Sequence, residues 1–151
     1  MIIDIGASEK AKRGDINFIY KYDKSYDTRH EQYDKYFPIK NDGIVYYYEN
    51  VMDIINKLNE INGFDKNNTF LFIHSFEHNY YFFILLEQIA KHGCKVVIVT
   101  PNATFTDKHD KEDKTHLFSF TKYSLHNLLS QFYTNIEFKD DKEDLFVIAS
   151  N

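Results

Sequence analysis

Short apolar runs alternate with amphipathic helical segments along most of the chain, and this alternation restricts its fold more than any other feature. The runs Ile2–Ile5, Thr69–Ile73 and Lys95–Thr100 are continuously apolar or β-branched, which is typical of buried strands. Parallel strands need crossover connections, usually helices, on the faces of their sheet. The alternation therefore predicts a mostly parallel sheet covered on both faces, in an α/β fold of one domain spanning residues 1–151. The three apolar runs are predicted to lie adjacent and parallel at the centre of that sheet.

The remaining elements follow from local patterns and capping signals. Four further strands are predicted at 16–22, 43–48, 135–138 and 145–149. Apolar side chains recur at helical spacing after three capping residues, Asn50, Asn79 and Thr121. The last two strands flank the charged turn 139–144, so the C-terminal strand is predicted to be antiparallel. Only nine residues, 7–15, separate the first two strands, which predicts that the first helix is shortened or absent.

Composition and charge exclude several classes of protein. The formal charge of −5, with lysines interleaved among aspartates, does not favour binding to nucleic-acid phosphates. A single cysteine, Cys94, cannot form an internal disulfide, so a reducing compartment, the cytoplasm, is expected. No run approaches the ~20 apolar residues of a membrane span, and the N-terminus lacks the basic flank of a signal peptide.

In an open parallel sheet, ligands bind beyond the carboxyl ends of the strands. The residues that end predicted strands are Asp4 to Ser8, Asp23, Glu49 and Asn50, His74 and Ser75, and Thr100 to Asn102. Gly6 would allow backbone to approach a ligand, although a turn glycine explains it as well. Asp23 follows Asp4 by 19 residues, near the spacing of a ribose-binding carboxylate, but it could equally be a solvated loop residue. Asn50 is ambiguous as well, because helix capping is sufficient to explain an asparagine at this position.

Four motifs resemble a known family. Asp4-Ile5-Gly6-Ala7 resembles the first motif of class I S-adenosylmethionine-dependent methyltransferases. His74-Ser75-Phe76-Glu77-His78 and the strand ending in Thr100-Pro101-Asn102 are similar to stretches in the branch called methyltransferase type 11. The segment 116–121 resembles that branch's histidine and Phe-Ser/Thr entry into the next helix. The resemblance spans most of the chain, and residues 69–133 carry its specific part.

The resemblance implies a Rossmann-like three-layer sandwich, a mostly parallel sheet of the seven-strand type and S-adenosylmethionine (SAM) as cofactor. Asp4, Gly6 and Ala7 would face the methionine portion of SAM, and Asp23 its ribose. Asn50 and Val51 would flank the adenine, and His74 and Ser75 would line the sulfonium side. Family members usually carry two further glycines, which Ser8-Glu9-Lys10 replaces here.

Several roles are possible for the histidines. His78 or His116 could act as general base, since the unperturbed pKa of histidine lies near 6.5, although capping or packing explains either residue. His74, Glu77, His78 and His116 are also similar to the metal-binding Glu-x-x-Glu-His…His arrangement of small-RNA 3′-terminal 2′-O-methyltransferases. Relatives without metal carry the same stretch, so no metal is predicted. His30, His92, His109 and His126 fit surface or loop positions.

The predicted function is SAM-dependent methyl transfer to an acceptor that the sequence does not identify: a small molecule, a sugar or a macromolecule. Two aromatic-rich segments, 24–42 and 103–118, could build its pocket through Tyr26, Tyr33, Tyr36, Phe37 and Phe105. The same side chains could instead cover the sheet face that the missing helix leaves open. An inactive methyltransferase-like binding or scaffold protein is the alternative, and a sugar-nucleotide enzyme is a weaker one. A homodimer is compatible with the sequence.

Overall fold

The computed structural model of the chain describes residues 1–22, 30–105 and 116–151. These residues form one mixed sheet of seven strands in the order β3-β2-β1-β4-β5-β7-β6. The strands are β1 (Ile2–Ile5), β2 (Ile16–Tyr20), β3 (Ile44–Tyr48), β4 (Thr69–Ile73), β5 (Lys95–Pro101), β6 (Asn135–Asp141) and β7 (Asp144–Ser150). Neighbours among β1 to β5 are parallel, whereas β7 is antiparallel to both β5 and β6.

The three most apolar strands form the centre of the sheet, as the sequence predicts. β1 pairs with β4 and β4 with β5, in registers that set Ile3 beside Phe70 and Leu71 beside Val97. The predicted antiparallel C-terminal strand is also confirmed. The final hairpin is longer than predicted, because β6 continues to Asp141 and β7 begins at Asp144. Backbone pairing at an exposed edge does not require apolar side chains, so the charged residues there extend the strands.

Helices in the described residues are α1 (Val51–Glu60), α2 (Phe82–Lys91) and α3 (Lys122–Leu129), and two 3-10 turns cover Glu31–Tyr33 and Phe76–His78. Asn50 caps α1 and Thr121 caps α3, as predicted, and in the structure each belongs to a capping box. Asn79 does not cap α2. The preceding 3-10 turn leaves Asn79 extended, two residues before the N-cap Tyr81, and its side chain accepts a hydrogen bond from the Tyr81 N–H. No helix of the described ranges is long and apolar enough to cross a membrane.

All three helices pack on the same face of the sheet. Alternation along the strands directs one set of side chains to this face, including Ile3, Phe72 and Ile98. The helices meet them with a set of buried apolar side chains: Ile54, Leu58, Leu85, Leu86, Ile89, Leu125 and Leu129. Removing this apolar surface from water stabilises the fold, and the helices are held against the sheet.

The opposite face has a different covering. Residues 7–15 contain no helix, which confirms the predicted loss of the first helix. Tyr33 and Phe37, from the segment around the first 3-10 turn, pack over Leu71, Val97, Val99 and Phe146 instead. The third layer of the sandwich is therefore built, in the described residues, from short turns and irregular backbone. Covering the sheet, one of the two predicted roles of the aromatic side chains, is therefore confirmed for Tyr33 and Phe37. Tyr26 lies outside the described residues, Phe105 is exposed, and the acceptor pocket stays a prediction.

Candidate functional site

Gly6 and Ala7 follow β1 at the carboxyl edge of the sheet, as predicted, but their backbone N–H groups are engaged. Both donate to the carbonyl of Phe18, at 2.9 and 3.1 Å. Gly6 has a φ of +80°, and a Cβ added there would lie 2.4 Å from the Cβ of Ser75. The Ser75 hydroxyl donates to the carbonyl of Ile5 at 2.7 Å. This glycine therefore allows Ser75 to pack against the end of β1.

Asp4 lies on the sheet face that carries no helix, and only 3% of its surface is exposed. Its carboxylate accepts a hydrogen bond from the N–H of Arg13 at 3.1 Å. Burial raises the pKa of Asp4 to about 7, although the Arg13 N–H and the charge of that residue oppose the change. Asp4 thus joins β1 to the loop that replaces the first helix.

The residues predicted to hold the nucleoside have structural roles or lie outside the described residues. Asp23 belongs to the latter group, so its contact with the ribose stays a prediction. The Asn50 side chain accepts from the N–H groups of Met52 and Asp53 and caps α1. Val51 is 4% exposed and belongs to the apolar core. Contacts of Asn50 and Val51 with adenine stay predictions.

His74 directly follows β4 and has a left-handed backbone conformation, with φ of +48°. Strand alternation would direct its side chain to the helical face, but the left-handed residue turns the imidazole toward the opposite face. There Nε2 lies 3.1 Å from Oδ2 of Asp144, and Nδ1 lies 3.6 Å from Oε1 of Glu77. The ring stacks on that of His30, with centroids 4.0 Å apart and planes 5° from parallel.

Asp144, at the start of β7, accepts a hydrogen bond from the Tyr33 hydroxyl as well as contacting His74. Burial acts to raise the pKa of Asp144, but the contacts with His74 and Tyr33 outweigh it and hold the pKa below its ordinary value. Burial, with repulsion from His74, lowers the pKa of His30 to about 4. Asp144 is therefore charged and His30 neutral at pH 7.

A second cluster lies beside His74 and consists of Glu77, His78 and His116. Glu77 is fully buried, and its Oε2 accepts from the Thr100 hydroxyl at 3.2 Å. Nε2 of His78 lies 3.7 Å from Glu77 Oε1. The rings of His78 and His116 meet edge to face, with centroids 4.6 Å apart. One ligand atom from each of the three residues can be chosen so that all lie within 4.8 Å of one another.

The structure thus brings together part of the predicted site. His74, Ser75, His78 and His116 gather beyond the carboxyl end of β4, whereas the carboxylate of Asp4 is directed to the Arg13 loop. Sequence reasoning missed Asp144 and assigned His30 to an ordinary surface or loop position. No local pattern could have found Asp144, because it is 70 residues from His74 and they meet only through sheet pairing.

The cluster can move protons and bind positive charge. Nε2 of His74 is next to an ionised carboxylate, an arrangement that orients an imidazole in many active sites. His78 and His116 are half-buried, so an acceptor molecule could reach their rings. Their predicted role as general base stays a prediction.

No protein-family model and no curated protein sequence matches the chain. Among solved structures, it is similar to a SAM-dependent methyltransferase from Archaeoglobus fulgidus, with a TM-score of 0.60 and 14% sequence identity. The alignment covers 99% of this chain and 85% of that chain. At this identity the likeness concerns the fold. The chain has the Rossmann-like fold of a SAM-dependent methyltransferase, with a seven-stranded sheet and an antiparallel C-terminal strand.

Proposed function

We propose that this chain transfers a methyl group from SAM to an acceptor at the carboxyl edge of β1 and β4. The observation that supports this function most strongly is the gathering of His74, His78 and His116 at that edge, in a fold shared with a SAM-dependent methyltransferase. Methyl transfer is a direct displacement, for which alignment of donor and acceptor can supply several kcal/mol of the barrier, up to about 7–11 kcal/mol in favourable cases.

Bound SAM would supply an electrophilic methyl group on a sulfonium. Ser75 and His74 would line its sulfonium side, and Asp23 would bind its ribose hydroxyls. His78 or His116 would accept the proton of an oxygen or nitrogen acceptor as the new bond to carbon forms. Asp144 would orient His74 and stabilise its charged form, since Nε2 and the carboxylate are 3.1 Å apart.

The first motif offers SAM few free backbone donors, and this favours a second candidate function. The N–H groups of Gly6 and Ala7 already donate to Phe18, and Ser75 packs against Gly6. A methyltransferase-like protein with this first motif could have lost cofactor binding and serve as a binding or scaffold protein. The engaged N–H groups are the observation that favours it.

Calorimetric titration of the full chain with SAM and S-adenosylhomocysteine separates the two candidates. The methyltransferase proposal expects saturable binding of both ligands, and about ten- to hundredfold weaker binding by Asp23→Ala, because a charge-assisted hydrogen bond is lost. Asp42→Ala, at an exposed position, is the matched control and should bind normally. Absence of binding at millimolar ligand would favour the scaffold function.

A further inference from the structure

Oε1 of Glu77 is buried and has no hydrogen-bond partner among the residues that the structure describes. Its sister oxygen Oε2 is satisfied by Thr100, so the unpaired oxygen is directed at one specific place. Burying a carboxylate oxygen without a donor or a positive charge is unfavourable, and native proteins rarely do so. The group that completes this oxygen must therefore carry positive charge or donate a proton.

The atoms that face Oε1 are imidazole nitrogens at distances too long for hydrogen bonds. Nε2 of His78 is 3.7 Å away, and His116 completes a trio whose ligand atoms all lie within 4.8 Å of one another. Two ligand atoms bound at about 2.0–2.1 Å to a tetrahedral ion are about 3.4 Å apart. Small side-chain rotations would bring the trio to that spacing.

The backbone fixes the trio although its members come from segments far apart in the chain. The carbonyl of Glu77 accepts from the N–H of Leu117 at 2.8 Å, which sets His116 beside the 3-10 turn. The same segment is joined to the end of β5, where the N–H of Ala103 donates to the carbonyl of Phe120 at 2.9 Å. The site is therefore held from two sides before any ligand binds.

We propose that Glu77, His78 and His116 bind a zinc ion, with the fourth position open to water or an acceptor oxygen. Two imidazoles and one carboxylate suit zinc and related transition metals rather than magnesium or calcium, which prefer oxygen ligands alone. Thr100 would orient the carboxylate through Oε2, as hydrogen-bond partners of metal ligands commonly do. His74 is not in the ligand set: its Nδ1 lies 3.6 Å from Oε1 of Glu77, but the group of ligand atoms that all lie within 4.8 Å of one another consists of Glu77, His78 and His116.

The site needs neither SAM nor the residues predicted to bind SAM. The motif alone does not predict a resident metal, because it occurs both with and without one. The buried, unpaired oxygen is what the structure adds. Zinc binding can therefore be measured without SAM, and SAM binding without zinc. An imidazole bound to zinc cannot also accept the proton of the methyl acceptor, so in the zinc-bound protein His78 and His116 would be ligands and not the general base.

The test is a zinc titration of the full chain after removal of metal with a chelator, with elemental analysis of the reloaded protein. We expect one zinc ion per chain and a zinc-dependent rise in melting temperature. Glu77→Gln and His116→Ala should each weaken zinc binding at least a hundredfold. His126→Ala removes an exposed histidine from α3 and should leave binding unchanged.

Two further measurements distinguish ligands from residues that merely support the fold. Cobalt in place of zinc should give the visible absorption bands of a four-coordinate site, and His116→Ala should change them. Thr100→Val should weaken zinc binding about ten- to hundredfold, since the carboxylate loses its orienting partner. Retention of full zinc affinity by folded Glu77→Gln and His116→Ala, or zinc binding no stronger than that of a protein lacking all three ligands, would overturn the proposal.

Discussion

Arg13 donates a hydrogen bond to the carboxylate of Asp34 at 2.7 Å from a side chain that is only 2% exposed. Other guanidinium N–H groups reach the carbonyls of Phe37 and His30. The planar, forked donor of arginine suits such multiple contacts. Through them, one side chain from the loop after β1 holds the segment that covers the sheet face without helices.

Replacing Arg13 should therefore be costly. Arg13→Met leaves the carboxylate of Asp34 and two carbonyls without their donor, and we expect a loss of about 3–5 kcal/mol in the free energy of unfolding. Lys21→Met is the matched control, because Lys21 pairs with Glu49 at a similar 2.8 Å but on the surface. This exposed pair is screened by water, so the substitution should leave the free energy of unfolding nearly unchanged. Equal losses in urea denaturation would contradict the role assigned to Arg13.

The second prediction concerns stability and rests on the close packing of Gly6 against Ser75. Gly6→Ala should destabilise the protein by about 2–5 kcal/mol, because the new Cβ overlaps Ser75 and the backbone is left-handed. Gly93→Ala is the control, since Gly93 has a similar φ of +72° but its nearest neighbour would be 3.9 Å away. Gly93→Ala should lose only about 1 kcal/mol of stability, which is the cost of placing alanine in a left-handed backbone conformation.

A double variant separates the overlap from the strain. Adding Ser75→Gly to Gly6→Ala removes the atom that the new Cβ meets, so part of the lost stability should return. Thermal or urea unfolding of the two single variants and the double variant gives the coupling energy. Purely additive losses would mean that the side chain of Ser75 does not restrict position 6.

The buried Asp4 predicts a specific dependence of stability on pH. Its pKa is raised to about 7 in the folded state, so the unfolded chain releases this proton first as the pH rises. The contribution of Asp4 to stability is therefore complete below about pH 4 and is lost as the pH rises to about 7. The free energy of unfolding of Asp4→Asn should therefore rise by a few kcal/mol relative to that of the unmodified protein as the pH goes from about 4 to about 7. Urea unfolding at several pH values measures this difference.

Asp53 provides a control of opposite sign. Hydrogen bonds from the N–H groups of Glu49 and Asn50 lower the pKa of Asp53. Its contribution is present near neutral pH and is lost as the pH falls through the acidic range. Asp53→Asn should therefore be less stable than the unmodified protein at pH 7, with the difference shrinking in acid. A flat difference for Asp4→Asn between pH 4 and 7 would show that this carboxyl titrates normally.

Asn50 can be tested for its two suggested roles at once. Asn50→Ala should cost about 1 kcal/mol of stability, because the cap of α1 is lost, whereas Asn50→Asp should keep it. If the Asn50 side chain also contacts adenine, Asn50→Asp should weaken SAM binding in calorimetry while the melting temperature is unchanged. Normal SAM affinity in both variants would restrict this residue to capping.

Local patterns determined most of the secondary structure of this protein. The strands β1, β4 and β5 and the helix caps Asn50 and Thr121 were predicted because a strand's burial pattern and a helix's first turn depend on residues a few positions apart. The missing first helix was predicted for a similar reason, since nine residues leave it no room. The adjacent, parallel position of these three strands at the centre of the sheet followed from their apolar character, whereas the order of all seven strands is known only from the structure.

The tertiary structure decided what the polar residues do. His74 lies between Asp144 and Glu77 because β7 inserts beside β5 and because a left-handed residue ends β4. Packing between segments tens of residues apart buries the Arg13 side chain against Asp34. Such packing also leaves one buried oxygen of Glu77 without a hydrogen-bond partner among the described residues. The sequence specifies which side chains can carry a charge. Their burial, their partners and their pKa values depend on which distant segments pack around them.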